Sequence, residues 1–216
     1  MTETRPLDHG WQWARFQGSA EALKWNRRDL DSLAQVLAIV PGRTAAVQAG
    51  GNLGVFPKAL ARVFQTVYTF EPAPDCFAAL MANAPEKNIV KLQAALGDTA
   101  RLVNVSRDRR DGKPNAHEGI THVHGVGVLP MLELDDLCLP IVDLLYLDLE
   151  GYELFALWGA VETVLRCRPV IAVEINKSIG FYGYTPEDVR TWMAARDYRP
   201  VCTTRADEVF VPKEWP

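Results

Sequence analysis

The stretch AVQAGGNLGVFPKALARVFQTVYTFEP, residues 46–72, decides how this chain reads. An apolar strand runs into glycines, a helix follows, and a second apolar strand ends on a carboxylate, Glu71. That order suits a nucleotide-like ligand. Gly50 and Gly54 let the backbone approach a ligand closely, and the N-terminus of the next helix offers unpaired N–H groups. Glu71, at the strand tip, can accept hydrogen bonds from both hydroxyls of a ribose. Dinucleotide-binding units place such an acid about 20 residues after their glycines, and Glu71 follows Gly50 by 21. The glycines read Gly-Gly-Asn-x-Gly, however, and not G-x-G-x-x-G.

Outward from this stretch, strands alternate with helices. Upstream, Asp29–Val40 carries apolar residues at helical spacing and is stopped by Pro41-Gly42. Thr44–Ala49 is the first strand, and Gly54–Phe64 a helix that tolerates Pro57 in its first turn. After the strand Thr66–Phe70, Pro72 and Pro74 keep the loop extended, and Asp75 is placed to cap a helix that displays Cys76, Phe77, Leu80 and Met81. Asn88–Ala95 is a third strand. Val142–Leu149 is a buried central strand with Asp143 near its entrance and Asp148 near its exit, followed by one amphipathic helix over Gly151–Leu165. Pro169–Ile175 is another buried strand with Glu174 near its end. Thr185, Pro186 and Asp188 form a helix start, and Tyr198–Thr203 with Glu208–Val211 closes the chain as a hairpin. The pattern predicts an α/β fold, a mostly parallel sheet with helices on both faces and an antiparallel edge. Residues 1–43 read as an N-terminal helical cover, in which Trp11, Trp13, Phe16 and Trp25 pack, and residues 44–216 as one globular unit.

Composition narrows the classes. Hydrophobic residues make up 48% of the 216 and charged residues 23%, the balance of a soluble globular protein. A net charge of −4 and a pI near 5.6 argue against a nucleic-acid partner. Cys76, Cys138, Cys167 and Cys202 are dispersed, which points to reduced thiols, a cytoplasmic setting, and neither a disulfide frame nor a zinc site. The start MTETRPLDHGWQW has no signal-peptide pattern, and no apolar run approaches the length of a membrane span. Oligomeric state leaves no signature.

Four segments, in order, carry a resemblance: VQAGGNLG at 47–54, FEPAPDCFAAL at 70–80, LDDL at 134–137, and LDLEGYELFALWGA at 147–160, with RPVIAVE following at 168–174. The chain resembles the FkbM family of S-adenosylmethionine-dependent methyltransferases over roughly residues 46–211. The resemblance implies a Rossmann-like class I methyltransferase fold with a seven-stranded sheet, S-adenosylmethionine as cofactor, and O-methylation of a hydroxyl on a sugar or other small metabolite. Carried over residue by residue, Gly50, Asn52 and Gly54 line the methionine part of the cofactor, and Glu71 with the neighbouring Pro72 holds the ribose. Ala95 borders the adenine, and Asp148 faces the methionine end and the reaction centre. The chain departs from the family at Gln48, where an Asp is usual, and at Gly51, where an Ala is usual. Gln48 still offers the cofactor hydrogen bonds but no charge for its ammonium. Gly51 is expected only to loosen the turn.

The catalytic candidates are Asp148, Glu150 and Glu174, as acid–base groups or as metal ligands. A divalent metal has no defined ligand set to support it. Glu150 reads equally as charge compensation for the helix start at Gly151, and Glu174 as a partner for a neighbouring loop. His117, His122 and His124 lie in or beside the polar loop 106–119, as surface groups, a lid base or metal ligands. Arg107, Arg109, Arg110 and Lys113 read as a solvated loop or a contact for an anionic substrate. Phe181-Tyr182-Gly183-Tyr184 reads as an acceptor platform or a staple on the helix at Thr185. Two rival functions share the strand–glycine–helix–acid logic: a nicotinamide-dependent oxidoreductase, and a non-catalytic cofactor-binding module.

Overall fold

The computed structural model describes residues 30–106, 121–205 and 207–216, with the backbone alone of 5–6, 12–13 and 20–29. Two short strands, β1 (Arg5–Pro6) and β2 (Gln12–Trp13), pair antiparallel and precede the helix α1 (Ala20–Ile39). α1 begins well before Asp29 and ends just ahead of Pro41. The side chains of Trp11, Trp13, Phe16 and Trp25 lie outside the described residues.

The core strands are β3 (Ala45–Ala49), β4 (Thr66–Phe70) and β5 (Ile89–Leu92). Three short or projecting strands follow: β6 (Ala95–Leu96), β7 (Arg101–Ser106) and β8 (His122–Leu132). β9 (Leu144–Leu147), β10 (Val170–Glu174), β11 (Tyr198–Thr203) and β12 (Asp207–Pro212) complete the set. Seven of them make one sheet in the order β11-β12-β10-β9-β3-β4-β5. The five strands from β10 to β5 run parallel, so their carboxyl ends share one edge. β12 runs antiparallel between β10 and β11, so the last strand of the hairpin is the inner one.

Why the sheet reads as apolar runs is plain from its two faces. Val47, Phe70, Leu145, Leu147, Ile171 and Val173 point into one core, and Ala46, Val67, Leu144, Tyr146, Val170 and Ala172 into the other. A strand covered on both sides loses the polar half of its alternation. Leu33 and Val36 of α1 and Leu60 of α2 (Val55–Leu60) cover the second face. The first is covered by α4 (Glu153–Trp158), α5 (Val161–Cys167) and α6 (Pro186–Ala194). α6 starts as the sequence predicts: the backbone N–H of Thr185 donates to the Asp188 carboxylate at 2.7 Å, and Pro186 takes the first helical position.

Several expectations need correction. The third strand stops at Leu92, and Ala95 belongs to β6, in a separate sheet of order β6-β8-β7. That second sheet was legible only in part, because just Val103, Val123 and Met131 of β7 and β8 are buried while Leu102, Val126 and Val128 stand exposed. The helix after the glycine loop ends at Leu60 and gives way to a turn. Asp75 lies in the first turn of α3 (Pro74–Asn83), behind Ala73 at the cap, and Met81 faces outward.

The expected single helix over Gly151–Leu165 is two helices, broken at Gly159-Ala160. Asp135, in the short 3-10 turn Asp135–Leu137, takes both sets of groups that would have continued it. Its N–H donates to the Gly159 carbonyl at 3.0 Å, and its carboxylate accepts from the N–H groups of Glu162 and Thr163 at 2.9 and 2.8 Å. A Cβ at Gly159 would stand 1.9 Å from the Gly97 carbonyl oxygen, so the break is also a close contact between segments. Leu165, which one continuous helix would place on an apolar stripe with Leu154, Leu157, Trp158 and Val161, is exposed. Removing the Asp135 carboxylate orphans two N–H groups at the start of α5. Asp135→Ala is expected to lower stability by about 1 kcal/mol in chemical denaturation, with Asp135→Asn recovering only part of it, since a single amide oxygen serves one of the two N–H groups.

Candidate functional site

The carboxyl edge of the sheet opens into a cleft between the ends of β3, β4 and β9 and the β6–β8 sheet. Gly50, Asn52, Glu71 and Pro72 line one part, with Ala95 beside them. Asp148, Glu150 and Tyr152 line another, with Thr121 and Val123 above them. Glu174, Gln48 and Gly54 do not reach the lining.

The glycine loop has a separate reason at each position. Gly50 has φ +91°, and a Cβ there would lie 2.0 Å from the Asp148 carbonyl oxygen, so both conformation and space demand glycine. Gly54 has φ +92° and packs its bare backbone on Leu80 and Ala84 of α3. Gly51 does more than loosen the turn: its Cβ would meet the Thr69 hydroxyl at 2.8 Å and Glu71 Cβ at 3.3 Å. The N–H groups of Gly50 and Gly51 both donate to the Phe70 carbonyl, at 3.0 and 2.8 Å.

Glu71 is 5% exposed, and its two oxygens accept from the backbone N–H groups of Asn52 (2.8 Å) and Ala73 (2.8 Å). The carboxylate is thereby fixed across the mouth of the glycine loop. Asn52 sits at φ 44°, a left-handed conformation that Asn tolerates, and its Oδ1 is buried with no donor among the described residues. Gln48 is 1% exposed and its amide is spent inside the protein. Nε2 donates to the Gly50 carbonyl at 2.8 Å, and Oε1 accepts from the Thr69 hydroxyl at 2.6 Å.

The acidic candidates converge. Asp148, Glu150 and Glu174 each offer a carboxylate oxygen, all within 4.8 Å of one another. Three oxygens so placed suit shared protons, and are also the donor type that a hard divalent cation prefers. Glu150 precedes the helix by three residues in a left-handed turn, φ 54°, so it does not compensate the helix start. Glu153 has that place. Buried at 1% exposure, it accepts from the N–H groups of Leu149 (2.8 Å) and Gly151 (3.2 Å) and so shapes the loop that carries Glu150. Sequence reasoning missed Glu153, because an acid in the first turn of a helix reads as an ordinary solvated charge.

Burial raises every carboxyl in this group, and mutual repulsion adds to it for Asp148, Glu150 and Glu174. Asp148 is held well above the usual range, by burial first and then by Glu174, Glu153 and Asp207. Glu174 is raised by burial and by Glu150 and Glu153, with hydrogen bonds from Asp148 and Asn176 opposing. The two titrate as a pair, and burial with mutual repulsion lets the pair hold a proton to higher pH than ordinary carboxyls do. Burial, then Asp148 and Glu153, push Glu150 up to about 8. Burial raises Glu153 to about 7 against its backbone hydrogen bonds.

The remaining candidates stand apart from the cleft floor. His122 packs edge-on against Phe181, ring centroids 4.9 Å apart, and His124 is exposed. Tyr182 and Tyr184 pack edge-on against Phe155, and Tyr184 against Trp158, so the aromatic run is a staple onto α4 more than an open platform. His117, Arg107, Arg109, Arg110 and Lys113 lie outside the described residues. No described helix is long and apolar enough to cross a membrane.

Residues 49–200 match the model of the methyltransferase FkbM domain. No curated protein sequence matches the chain. Among solved structures, the chain is similar to the methyltransferase FkbM of Methylobacillus flagellatus KT, at TM-score 0.50 and 17% identity, over 78% of this chain and 43% of that one. It thus spans less than half the length of that protein. It is also similar to the S-adenosylmethionine-bound magnesium protoporphyrin IX methyltransferase of Synechocystis PCC 6803, at TM-score 0.52 and 12% identity, over 92% and 88%. The ribosomal protein L11 methylase of Lactobacillus delbrueckii subsp. bulgaricus gives TM-score 0.50 and 8% identity, over 91% and 80%. The fold is the Rossmann-like class I methyltransferase fold.

The acid group makes stability depend on pH in a defined sense. Glu150 and Glu153 keep protons in the folded state that the unfolded chain releases near the ordinary value of 4.5. Raising the pH from that value towards about 8 therefore favours unfolding. The thermal midpoint of the unliganded protein is expected to fall across this interval, and Glu150→Gln to flatten the fall and raise the midpoint at its alkaline end.

Proposed function

The chain belongs to the methyltransferase FkbM domain family, and we propose on that premise that it transfers the methyl group of S-adenosylmethionine to a hydroxyl of a sugar or other small metabolite. The observation that carries the reading is Glu71, a buried carboxylate pinned by two N–H groups at a strand tip, in the same cleft as Asp148 and Glu150. Glu71 holds the ribose hydroxyls. Pro72 and Ala95 border the nucleoside, while Gly50 and Asn52 border the methionine end. Asn52 Oδ1 is a buried acceptor in want of a donor, and the cofactor ammonium is one. Gln48 and Gly54 act at one remove, Gln48 through the Gly50 carbonyl and Gly54 through packing on α3.

Methyl transfer is an in-line displacement, so holding acceptor oxygen, methyl carbon and sulfur in a row is much of the catalysis. As the oxygen–carbon bond forms and the carbon–sulfur bond breaks, the hydroxyl proton needs a base. Glu150 lines the cleft and is lifted to about 8, a stronger base than an ordinary carboxylate. Asp148 lines the cleft beside it, and Glu174 lies within reach of both outside the lining. The cleft lining has no Lys or Arg among the described residues, which favours an uncharged acceptor over an anionic one. The loop lacks the G-x-G-x-x-G spacing that a nicotinamide cofactor would call for.

Titration calorimetry with S-adenosylhomocysteine tests the cofactor. One-to-one binding is expected, with Glu71→Ala weakening it about 10- to 100-fold while the circular dichroism spectrum is unchanged. Absence of binding heat in the wild-type protein would overturn the reading. With an acceptor in hand, the rate is expected to rise with pH up to about 8 as Glu150 ionises, and to lose that rise in Glu150→Gln. A requirement for added Mg²⁺ would move the three carboxylates from base to ligand.

A further inference from the structure

Thr69 belongs to no motif, yet its hydroxyl meets both Gln48 and the space beside Gly51. It lies on β4 directly opposite Gln48 on β3, and both side chains are buried, at 0% and 1% exposure. The Gly50 carbonyl can only accept, so the amide nitrogen of Gln48 must face it. The amide oxygen then faces Thr69, whose hydroxyl must donate. A carboxylate at position 48 would set an anionic oxygen against the Gly50 carbonyl and would offer it no hydrogen. The same Thr69 hydroxyl stands 2.8 Å from where a Cβ of residue 51 would be. Gly51 has no positive φ, so its requirement is for space and the occupant of that space is Thr69.

We propose that Thr69 is a positioning residue for the cofactor loop, and that Gln48, Gly51 and Thr69 act as one interlocked unit. Thr69 orients the Gln48 amide, the amide holds the Gly50 carbonyl, and the hydroxyl excludes any side chain at position 51. The loop so fixed gives two N–H groups to the Phe70 carbonyl and presents the Asn52 N–H to Glu71. An uncharged amide at position 48 is therefore what this loop is built around. The proposal rests on the cofactor reading above, since the loop it positions is the one assigned to S-adenosylmethionine.

The test is a set of variants read by S-adenosylhomocysteine affinity and, separately, by the unliganded thermal midpoint. Thr69→Val keeps the shape and removes the donor, leaving Gln48 Oε1 buried and unsatisfied, so affinity is expected to fall about tenfold. Thr69→Ser keeps the donor and is expected to bind within about threefold of wild type. Gly51→Ala is expected to lose about tenfold in the wild-type background and clearly less in Thr69→Ala, where the hydroxyl is gone. Wild-type affinity in Thr69→Val, or a lowered midpoint with affinity intact, would reduce Thr69 to a core residue and overturn the proposal. Strictly additive effects of Gly51→Ala and Thr69→Ala would dissolve the unit. If the wild-type protein binds no S-adenosylhomocysteine, the cofactor reading fails and this proposal with it. Binding by wild type and Thr69→Val alike fails the proposal alone.

Discussion

Gly50 and the Asp148 carbonyl approach each other so closely that any side chain at position 50 would stand 2.0 Å from that oxygen. The rest of the carboxyl edge depends on this contact. β3 and β9 are neighbours in the sheet, and the Asp148 N–H donates to the Ala49 carbonyl at 3.1 Å, so the pairing continues to the last residue of each strand. Only glycine lets the chain leave β3 over that pairing, and the Phe70 carbonyl of β4 then catches the loop through two N–H groups. Three strand ends are thereby locked together. One cleft is lined by Gly50 and Asn52 of the loop, by Glu71, and by Asp148 and Glu150 of the acid group.

The acid group is the costly part of this arrangement. Burial raises all four of Asp148, Glu150, Glu153 and Glu174, their neighbours' charges add to this for all but Glu153, and no Lys or Arg among the described residues offsets them. A core built for stability alone would not gather four carboxyls. Perturbed acids in a cleft mark functional sites more often than structural ones, and here they stand beside a loop built for close backbone approach. Glu150 adds backbone strain to the electrostatic cost, with its φ of 54° in a residue type that rarely adopts it. Glu153 holds that turn in place through the Leu149 and Gly151 N–H groups.

Much of this was legible in the sequence, for identifiable reasons. The parallel sheet announced itself because strands such as Leu144–Leu147 are buried on both faces and read as unbroken apolar runs. Glu71, Asp148 and Glu174 were visible because an acid at the end of an apolar strand needs a reason to be there. What the sequence hid depends on partners far away along the chain. The break at Gly159 needs Asp135, the fixed amide of Gln48 needs Thr69, and the bare backbone at Gly51 needs the Thr69 hydroxyl. Of the sheet of β6, β8 and β7 only an extended stretch over Ile120–Val128 is legible, because most of its side chains stay near solvent.

A crystal structure with S-adenosylhomocysteine bound measures the central claim most directly. The account predicts both ribose hydroxyls within hydrogen-bond distance of Glu71, the amino-acid end against Gly50 and Asn52, and the sulfur facing the open space beside Glu150. A ribose out of reach of Glu71, or a sulfur pointing away from Asp148, Glu150 and Glu174, would contradict it.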